Sequence, residues 1–399
     1  MDPNIARFIR YCQIDTQSNE ASSSIPSDPK ELNLTRELQK DLKALGIATS
    51  INEFGILYGK LPGESGLDPI GLNSHVDTAQ EVTDTNCQPR YISHYDGSTI
   101  VLNDSYSMDP KEFPTLSAHI GDDLVVTDGN TLLGADDKAG LAIIMAAIEH
   151  YVKHPEEKHH PICFCFTPDE EIGRGPDHFD AKTFGAAYAY TLDGGIYDEI
   201  AIENFNAAHA TVEISGVSIH PGEAKGKMVN ASTLAFEFDR RLPPFKRPEY
   251  TEGHEGFNHL VSMSGACDKA TLHYIIRNHD LKKLEAQKKE FVDAAKVIEE
   301  HYPSAKINLT IVDDYRNMKE VFDKDPRAVD HIKATFAKLG ITPKFNPIRG
   351  GTDGATFSFK GCPTPNLGTG SYNHHGRYEY LSVSEFNTMV KIVIALLAA

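Results

Sequence analysis

The sequence is short of positive charge: 39 Lys and Arg stand against 57 Asp and Glu, a formal net charge of −18 over 399 residues. A surface of that sign repels a phosphate backbone and argues against a nucleic-acid partner. Long apolar runs are also missing, since no segment approaches the roughly 20 residues that a helix needs to cross a bilayer. The opening Met1-Asp2-Pro3-Asn4 has neither the basic residues nor the apolar stretch of a signal peptide, so the expectation is a soluble, cytoplasmic chain with no membrane partner. Cysteine is sparse. The six cysteines, at 12, 87, 163, 165, 267 and 362, never take the Cys-x-x-Cys spacing of a zinc or redox motif. Cys163 and Cys165 alternate within an apolar run and read as small hydrophobes on one face of a strand. Internal repeats and low-complexity tracts are absent.

What is present suffices for a large core: 40% of residues are hydrophobic and 24% charged, with length enough for two domains. From Asn4 to about Phe205, short apolar runs alternate with amphipathic stretches, the pattern of a mostly parallel sheet covered by helices. The runs Ile70–Asn73, Leu124–Thr127, Ile162–Phe166 and Ala187–Leu192 predict strands. A helix follows Lys138, with Leu141, Ile144, Met145 and Ile148 at helical spacing and His150, Lys153 and His154 near its C-terminus. Between Glu81 and Gly129 lies a polar, turn-rich insertion with no assignable sheet pairing. After Phe205 the order becomes strand (Ala210–Ser215), helix (Ala231–Arg241), strand (Leu272–Asn278), long helix (Leu281–His301) and strand (Ile307–Asp313), which suggests an α+β sandwich with one open sheet face. The first domain, 1–205, is expected to be completed by 315–399, with 206–314 inserted as a second domain.

Five short motifs carry candidate chemistry. His75-Val76-Asp77 follows an apolar run, where the imidazole can bind a metal and a carboxylate can fix its tautomer. Gly134-Ala135-Asp136-Asp137-Lys138 places two carboxylates before a helix, equally suited to capping it or to ligating. Asp169-Glu170-Glu171 sets three carboxylates in a row, expensive beside a buried strand unless a cation is present, and otherwise a solvated turn. Asp193-Gly194-Gly195 again ends an apolar run, and Asn373-His374-His375-Gly376 lies near the C-terminus. Four of the five are expected just past the carboxyl end of a strand, the edge at which open α/β sheets bind ligands. His75, Asp136, Glu171, Asp193 and a C-terminal His can then converge on two divalent cations. A His and carboxylate set without Cys favours zinc, with cobalt or manganese as substitutes.

This ordered set resembles the dizinc M20 metallopeptidases. The likeness spans nearly the whole chain, through Asp15-Thr16-Gln17-Ser18, His220-Pro221-Gly222, Met228-Val229-Asn230-Ala231, Thr251-Glu252-Gly253, His273-Tyr274-Ile275-Ile276-Arg277 and Arg349-Gly350-Gly351-Thr352-Asp353-Gly354, and is strongest to the aminotripeptidases of that family. It implies an α/β fold: a zinc-exopeptidase-like catalytic domain on a mixed, mainly parallel sheet, with an inserted ferredoxin-like lid. It also implies that His75, Asp136, Glu171, Asp193 and His375 bind two zinc ions with Asp136 bridging. Asp77 would orient His75, and Glu170 would be the general base. Asp137 becomes a cap or a support for the ligands. The family has one His before the Gly, and alignment on Gly376 selects His375 over His374. His220 would supply an oxyanion donor. Arg277 and Arg349, with Asn230 as an amide partner, would anchor a substrate carboxylate. A homodimer is implied too.

The metal frame alone also serves dipeptidases and N-acyl amino acid amidohydrolases. A non-catalytic peptide-binding protein would more often have lost a ligand or the base. Here every position is filled.

Overall fold

The computed structural model describes residues 1–399, which divide into two units: Met1–Ile202 with Met318–Asn346 and Thr352–Ala399, and Glu203–Asn317 with Pro347–Gly351.

In the first unit an eight-stranded mixed sheet runs in the order Thr49–Ile51, Leu57–Leu61, Ile162–Thr167, Ile70–His75, Tyr188–Leu192, Asn366–Leu367, Glu199–Ala201, Lys344–Phe345. Its centre is parallel, with Ile70–His75 flanked in register by Ile162–Thr167 and Tyr188–Leu192. All three central strands are buried along their whole length, which explains their near-continuous apolar sequence. The helix Ala135–Lys153 packs into the same core and is buried almost all round, so Ala142 and Ile143 are as enclosed as Leu141 and Ile144. Its helical backbone begins only after Asp136 and Asp137. No helix is long and apolar enough to cross a membrane.

The 81–129 insertion supplies strands to a second, smaller sheet ordered Ser371–Tyr372, Tyr380–Ser382, Leu124–Val126, Arg90–Ile92. This corrects the expected placement of Leu124–Thr127. That strand leaves the main sheet, pairs antiparallel with Tyr380–Ser382, and packs its own cluster around Met108, Leu116 and Tyr380. Asp136 therefore stands at a helix start, and three of the five motifs, not four, follow a central strand. The pairing also seats the loop of His374 and His375 between the two C-terminal strands of this small sheet.

The second unit has the chain order strand Asn206–Ser215, helix Ala231–Arg241, strands Phe257–Gly265 and Lys269–Asn278, helix Leu281–His301, strand Lys306–Tyr315. All its pairings are antiparallel, with Asn206–Ser215 and Lys269–Asn278 central, which is the ferredoxin-like arrangement. Both helices cover one face, where Val212, Ile214, Leu272, Phe238 and Phe291 form the core. The opposite face carries His209, Thr211, His273 and Thr310. The edge strand Phe257–Gly265 escapes sequence reading because most of it is exposed and a bulge near Val261 breaks its alternation. The expected boundary also shifts. Pro347–Gly351 joins the second unit because the Ile348 N–H donates to Glu203 O, His279 Nε2 lies 3.1 Å from Ile348 O, and Arg349 binds residues 251–255.

Candidate active site

Three adjacent parallel strands end at one edge, and each delivers an ionisable group there. Ile70–His75 ends in the buried His75, whose Nε2 lies 3.1 Å from Asp136 Oδ1 and 3.6 Å from Asp193 Oδ1. Ile162–Thr167 leads through Pro168 and Asp169 to Glu170 and Glu171. Tyr188–Leu192 leads directly to Asp193. From the helix start Asp136 enters between two imidazoles, with Oδ2 3.5 Å from His375 Nε2, and the same nitrogen is 3.0 Å from Glu171 Oε2. His75, Asp136, Glu171, Asp193 and His375 thus converge, with Asp136 at the centre.

His374 differs from its neighbour. Its Nε2 pairs with Ser371 Oγ at 2.9 Å, and its Nδ1 is 4.0 Å from Asp136. Asp137 is committed as well: its carboxylate accepts from Ser74 Oγ, from the His75 N–H and from the Gly140 N–H, so it supports the strand end and caps the helix.

The donor set fits divalent cations. His75, Asp136 and Glu171 offer one ligand atom each, all within 4.8 Å of one another, and Glu171 Oε1 is buried with no hydrogen-bond partner. The electrostatics agree. Burial, and then the Asp136 charge, push the Glu171 carboxyl up to about 7. Burial raises Glu170 well above the carboxylate range, with Asp193 adding to the effect. Bonds to Asp136 and Glu171 push the His375 imidazole up to about 12. Burial opposes protonation of His75, yet Asp136, Asp193 and Asp77 together hold its pKa well above normal. A site that forces protons onto its imidazoles to balance buried carboxylates is one that a cation would satisfy.

Known proteins resemble the chain over most of its length. The model of peptidase family M20/M25/M40 matches residues 126–399. Peptidase T of Clostridium acetobutylicum is 45% identical over 399 residues, covering 99% of this chain and 98% of that protein. The chain belongs to peptidase family M20. Among solved structures, aminopeptidase PepT from Bacillus cereus has a TM-score of 0.78 at 24% identity, covering 99% of this chain and 97% of that one. The Bacillus subtilis YXEP protein, described as a dinuclear metal-binding peptidase of the M20 family, has a TM-score of 0.65 at 12% identity, covering 98% and 96%. At those identities the two structures establish the shared fold.

Around this cluster are groups that the motifs did not announce. Glu379, buried, accepts from the N–H groups of Leu133, Gly134 and Asp136, and so fixes the turn that carries Asp136. An acid between two tyrosines in a short apolar run was its only trace in the sequence. Asp77 does more than approach His75 Nδ1 at 3.3 Å: its two oxygens also accept from the N–H groups of Glu170 and Glu171. Asp169, in the left-handed region at φ 59°, is held by the Ser27 N–H on its carboxylate and by Glu31 Oε2 on its own N–H. Beside Glu171 lies a cavity of about 420 Å³ lined by Glu20, Gln80, Glu81, Glu171 and Ile172, with no basic residue.

The remaining candidates lie in the second unit. His220 is exposed, and its Nδ1 accepts from the Gly222 N–H. Asn230 caps the helix Ala231–Arg241 with its side-chain oxygen, which leaves only its amide N–H groups for another partner. Arg277 donates from Nη1 to Ala208 O and Ile276 O and pairs with Asp314, while Nε and Nη2 carry no hydrogen bond. Arg349 requires a correction. Nη1 donates to Gly253 O and Glu255 O, Nη2 to Thr251 O and Oγ1, and the guanidinium stacks over Phe205 and Phe257. Four of its five N–H donors are spent on the segment Thr251–Glu255, so Arg349 is a clamp for that turn and offers no fork to a carboxylate.

Proposed function

We propose that this M20 peptidase is a metal-dependent aminotripeptidase that releases the N-terminal residue from tripeptides, with two zinc ions held by His75, Asp136, Glu171, Asp193 and His375. The observation that carries this reading is the convergence of those five side chains around Asp136 with the half-buried Glu170 beside them, in a chain alike over its full length to proteins named peptidase T. Two divalent cations bound there would polarise a peptide carbonyl and lower the pKa of water toward neutrality.

The chain's own residues then have defined tasks. Glu170 takes a proton from the water that attacks the scissile carbonyl and returns it to the leaving amine. Burial favours that role, because it raises the affinity of Glu170 for a proton. Asp77 keeps the Nδ1 side of His75 engaged and so presents Nε2 to the site. The acidic cavity beside Glu171 suits a free α-ammonium group. The family resemblance assigns His220 to the oxyanion and Arg277 to the substrate carboxylate, with Asn230 as amide partner. It also assigns a homodimer, which light scattering after gel filtration tests directly. A cytoplasmic location belongs to the same reading, supported by six unpaired cysteines.

The deciding experiment is hydrolysis of matched di-, tri- and tetrapeptides, free and N-acetylated, with chelator and with zinc restored. Cleavage confined to free-amine tripeptides, lost on chelation and recovered with zinc, is expected. Cleavage of dipeptides or acetylated substrates would move the protein to the dipeptidase or N-acyl amino acid amidohydrolase branch. No cleavage with metal bound would favour a binding protein.

A further inference from the structure

The motif Arg349–Gly354 contains a buried acid, Asp353, to which the proposed reaction gives no task. Asp353 is 2% exposed and belongs to the same unit as the converging ligands. Its neighbours are built to seat it. Thr352 caps the helix Asp353–Phe359 by accepting from the Gly354 N–H, and its hydroxyl donates to Asn366 Oδ1 at 2.9 Å. Gly354 permits the close approach, because a Cβ there would lie 2.6 Å from Thr364 O and 3.3 Å from Thr191 Cγ2.

So seated, Asp353 Oδ2 accepts a hydrogen bond from Thr167 Oγ1 at 2.5 Å. Thr167 Oγ1 accepts in turn from Asn73 Nδ2 at 3.2 Å, and Asn73 Oδ1 accepts from Thr191 Oγ1 at 2.8 Å. Four buried polar side chains thereby form one chain across the three central strands. Each strand member stands just before a group of the site: Asn73 before His75, Thr167 before Glu170, Thr191 before Asp193.

We propose that Asp353 is a positioning residue for the metal site, anchoring the hydrogen-bonded chain Asp353–Thr167–Asn73–Thr191 that holds the carboxyl ends of three strands where His75, Glu170 and Asp193 are needed. The proposal rests on the reading of those three as site residues. Its physical basis is that a buried polar chain is satisfied only when all members keep their places, and removing one leaves its neighbours unpaired. The second oxygen of Asp353 adds to this. Oδ1 is buried and unpartnered, a costly state for a group with only a packing role.

Four variants test this in the full-length protein, with cobalt binding to the metal-depleted protein read by visible absorption alongside kcat and KM. Asp353→Ala and Thr167→Val are expected to weaken cobalt binding about tenfold and lower kcat about 10–100-fold, with KM little changed. Thr167→Ser, which restores the hydroxyl, should return both to near wild type. Asp353→Asn keeps an oxygen acceptor for the Thr167 hydroxyl, so cobalt binding and kcat should both stay near wild type. Folded Asp353→Ala or Thr167→Val with wild-type cobalt affinity and kcat would overturn the proposal. Should those two not fold, a fifth variant decides in their place: Thr191→Val removes the donor to Asn73 at the other end of the chain, and wild-type cobalt affinity and kcat there overturn the proposal. A wild-type protein that binds no cobalt would instead remove the reading on which the proposal stands.

Discussion

The carboxylate of Asp77 accepts the backbone N–H of Glu170 at 3.0 Å, and its other oxygen accepts that of Glu171 at 3.1 Å. One buried acid therefore sets the backbone of both the candidate base and a candidate ligand, while also lying 3.3 Å from His75 Nδ1. Asp77→Ala should cost about 10–100-fold in kcat and in metal affinity. Asp77→Asn, able to accept on one oxygen only, should fall between the alanine variant and wild type. Steady-state kinetics with metal content measured on the same samples checks this, and wild-type values for Asp77→Ala would refute the dual role.

The paired histidines are separable. His375 Nε2 reaches both Asp136 and Glu171, whereas His374 Nε2 is taken by Ser371. Replacing His375 by Ala should remove about one metal equivalent and most activity, since a lost ligand cannot be supplied by a ring already bonded elsewhere. Replacing His374 should leave the metal count at the wild-type value. Metal analysis after gel filtration distinguishes the two variants.

How much of this was legible in the sequence depends on distance along the chain. His75, Glu170, Glu171 and Asp193 could be read because each follows a short apolar run, and such runs become buried parallel strands whose carboxyl ends share an edge. Glu379 could not be read, because its partner Asp136 is 243 residues away and nothing local marks the pairing. Arg349 misled for the same reason. A guanidinium beside glycines resembles an anchor, and only the fold shows its donors turned onto Thr251–Glu255. The pairing of the small sheet was not legible because its strands are two or three residues long and Leu124–Val126 pairs with Tyr380–Ser382 from a distant part of the sequence.

Glu379 holds three N–H groups with two oxygens, the bonds to Leu133 and Gly134 fully buried and that to Asp136 partly so. Glu379→Ala leaves those donors without partners and should destabilise the protein by about 3 kcal/mol, each buried unsatisfied group costing about 1–3 kcal/mol before water compensates. Metal affinity should fall with it, since the Asp136 turn is released. Urea unfolding and cobalt titration measure the two effects, and an unchanged unfolding midpoint would show that the turn holds itself.

His331 gives the stability a pH dependence with a definite sign. Burial, aided by His160 and Lys338, holds this imidazole down at about 4, and its Nδ1 lies 2.8 Å from Tyr188 Oη. In the unfolded chain it titrates near 6.5, so the unfolded state takes up a proton first as pH falls. Its contribution is complete above about pH 6.5 and is lost as pH drops toward 4. Its full size is about 2 kcal/mol after allowance for partial exposure. Unfolding midpoints at pH 7.5, 6 and 5 should therefore decline more steeply for wild type than for His331→Gln, and parallel slopes would refute the assignment.

Arg277 and His220 should separate binding from turnover. Arg277 spends Nη1 on Ala208 O, Ile276 O and Asp314, which orients the guanidinium and leaves the Nε and Nη2 edge to pair side by side with a carboxylate. Arg277→Ala should raise the tripeptide KM by about 10–100-fold, the worth of a charge-assisted pair of about 1.5–3 kcal/mol. It should matter far less for a tripeptide amide, which has no carboxylate to bind. A donor to the oxyanion acts only as charge develops, so His220→Ala should lower kcat by about 100–1,000-fold and leave KM and metal content near wild type. Kinetics on the free acid and amide of one tripeptide tests both roles: equal loss on the two substrates in Arg277→Ala would remove the anchor, and an undiminished kcat in His220→Ala would remove the donor.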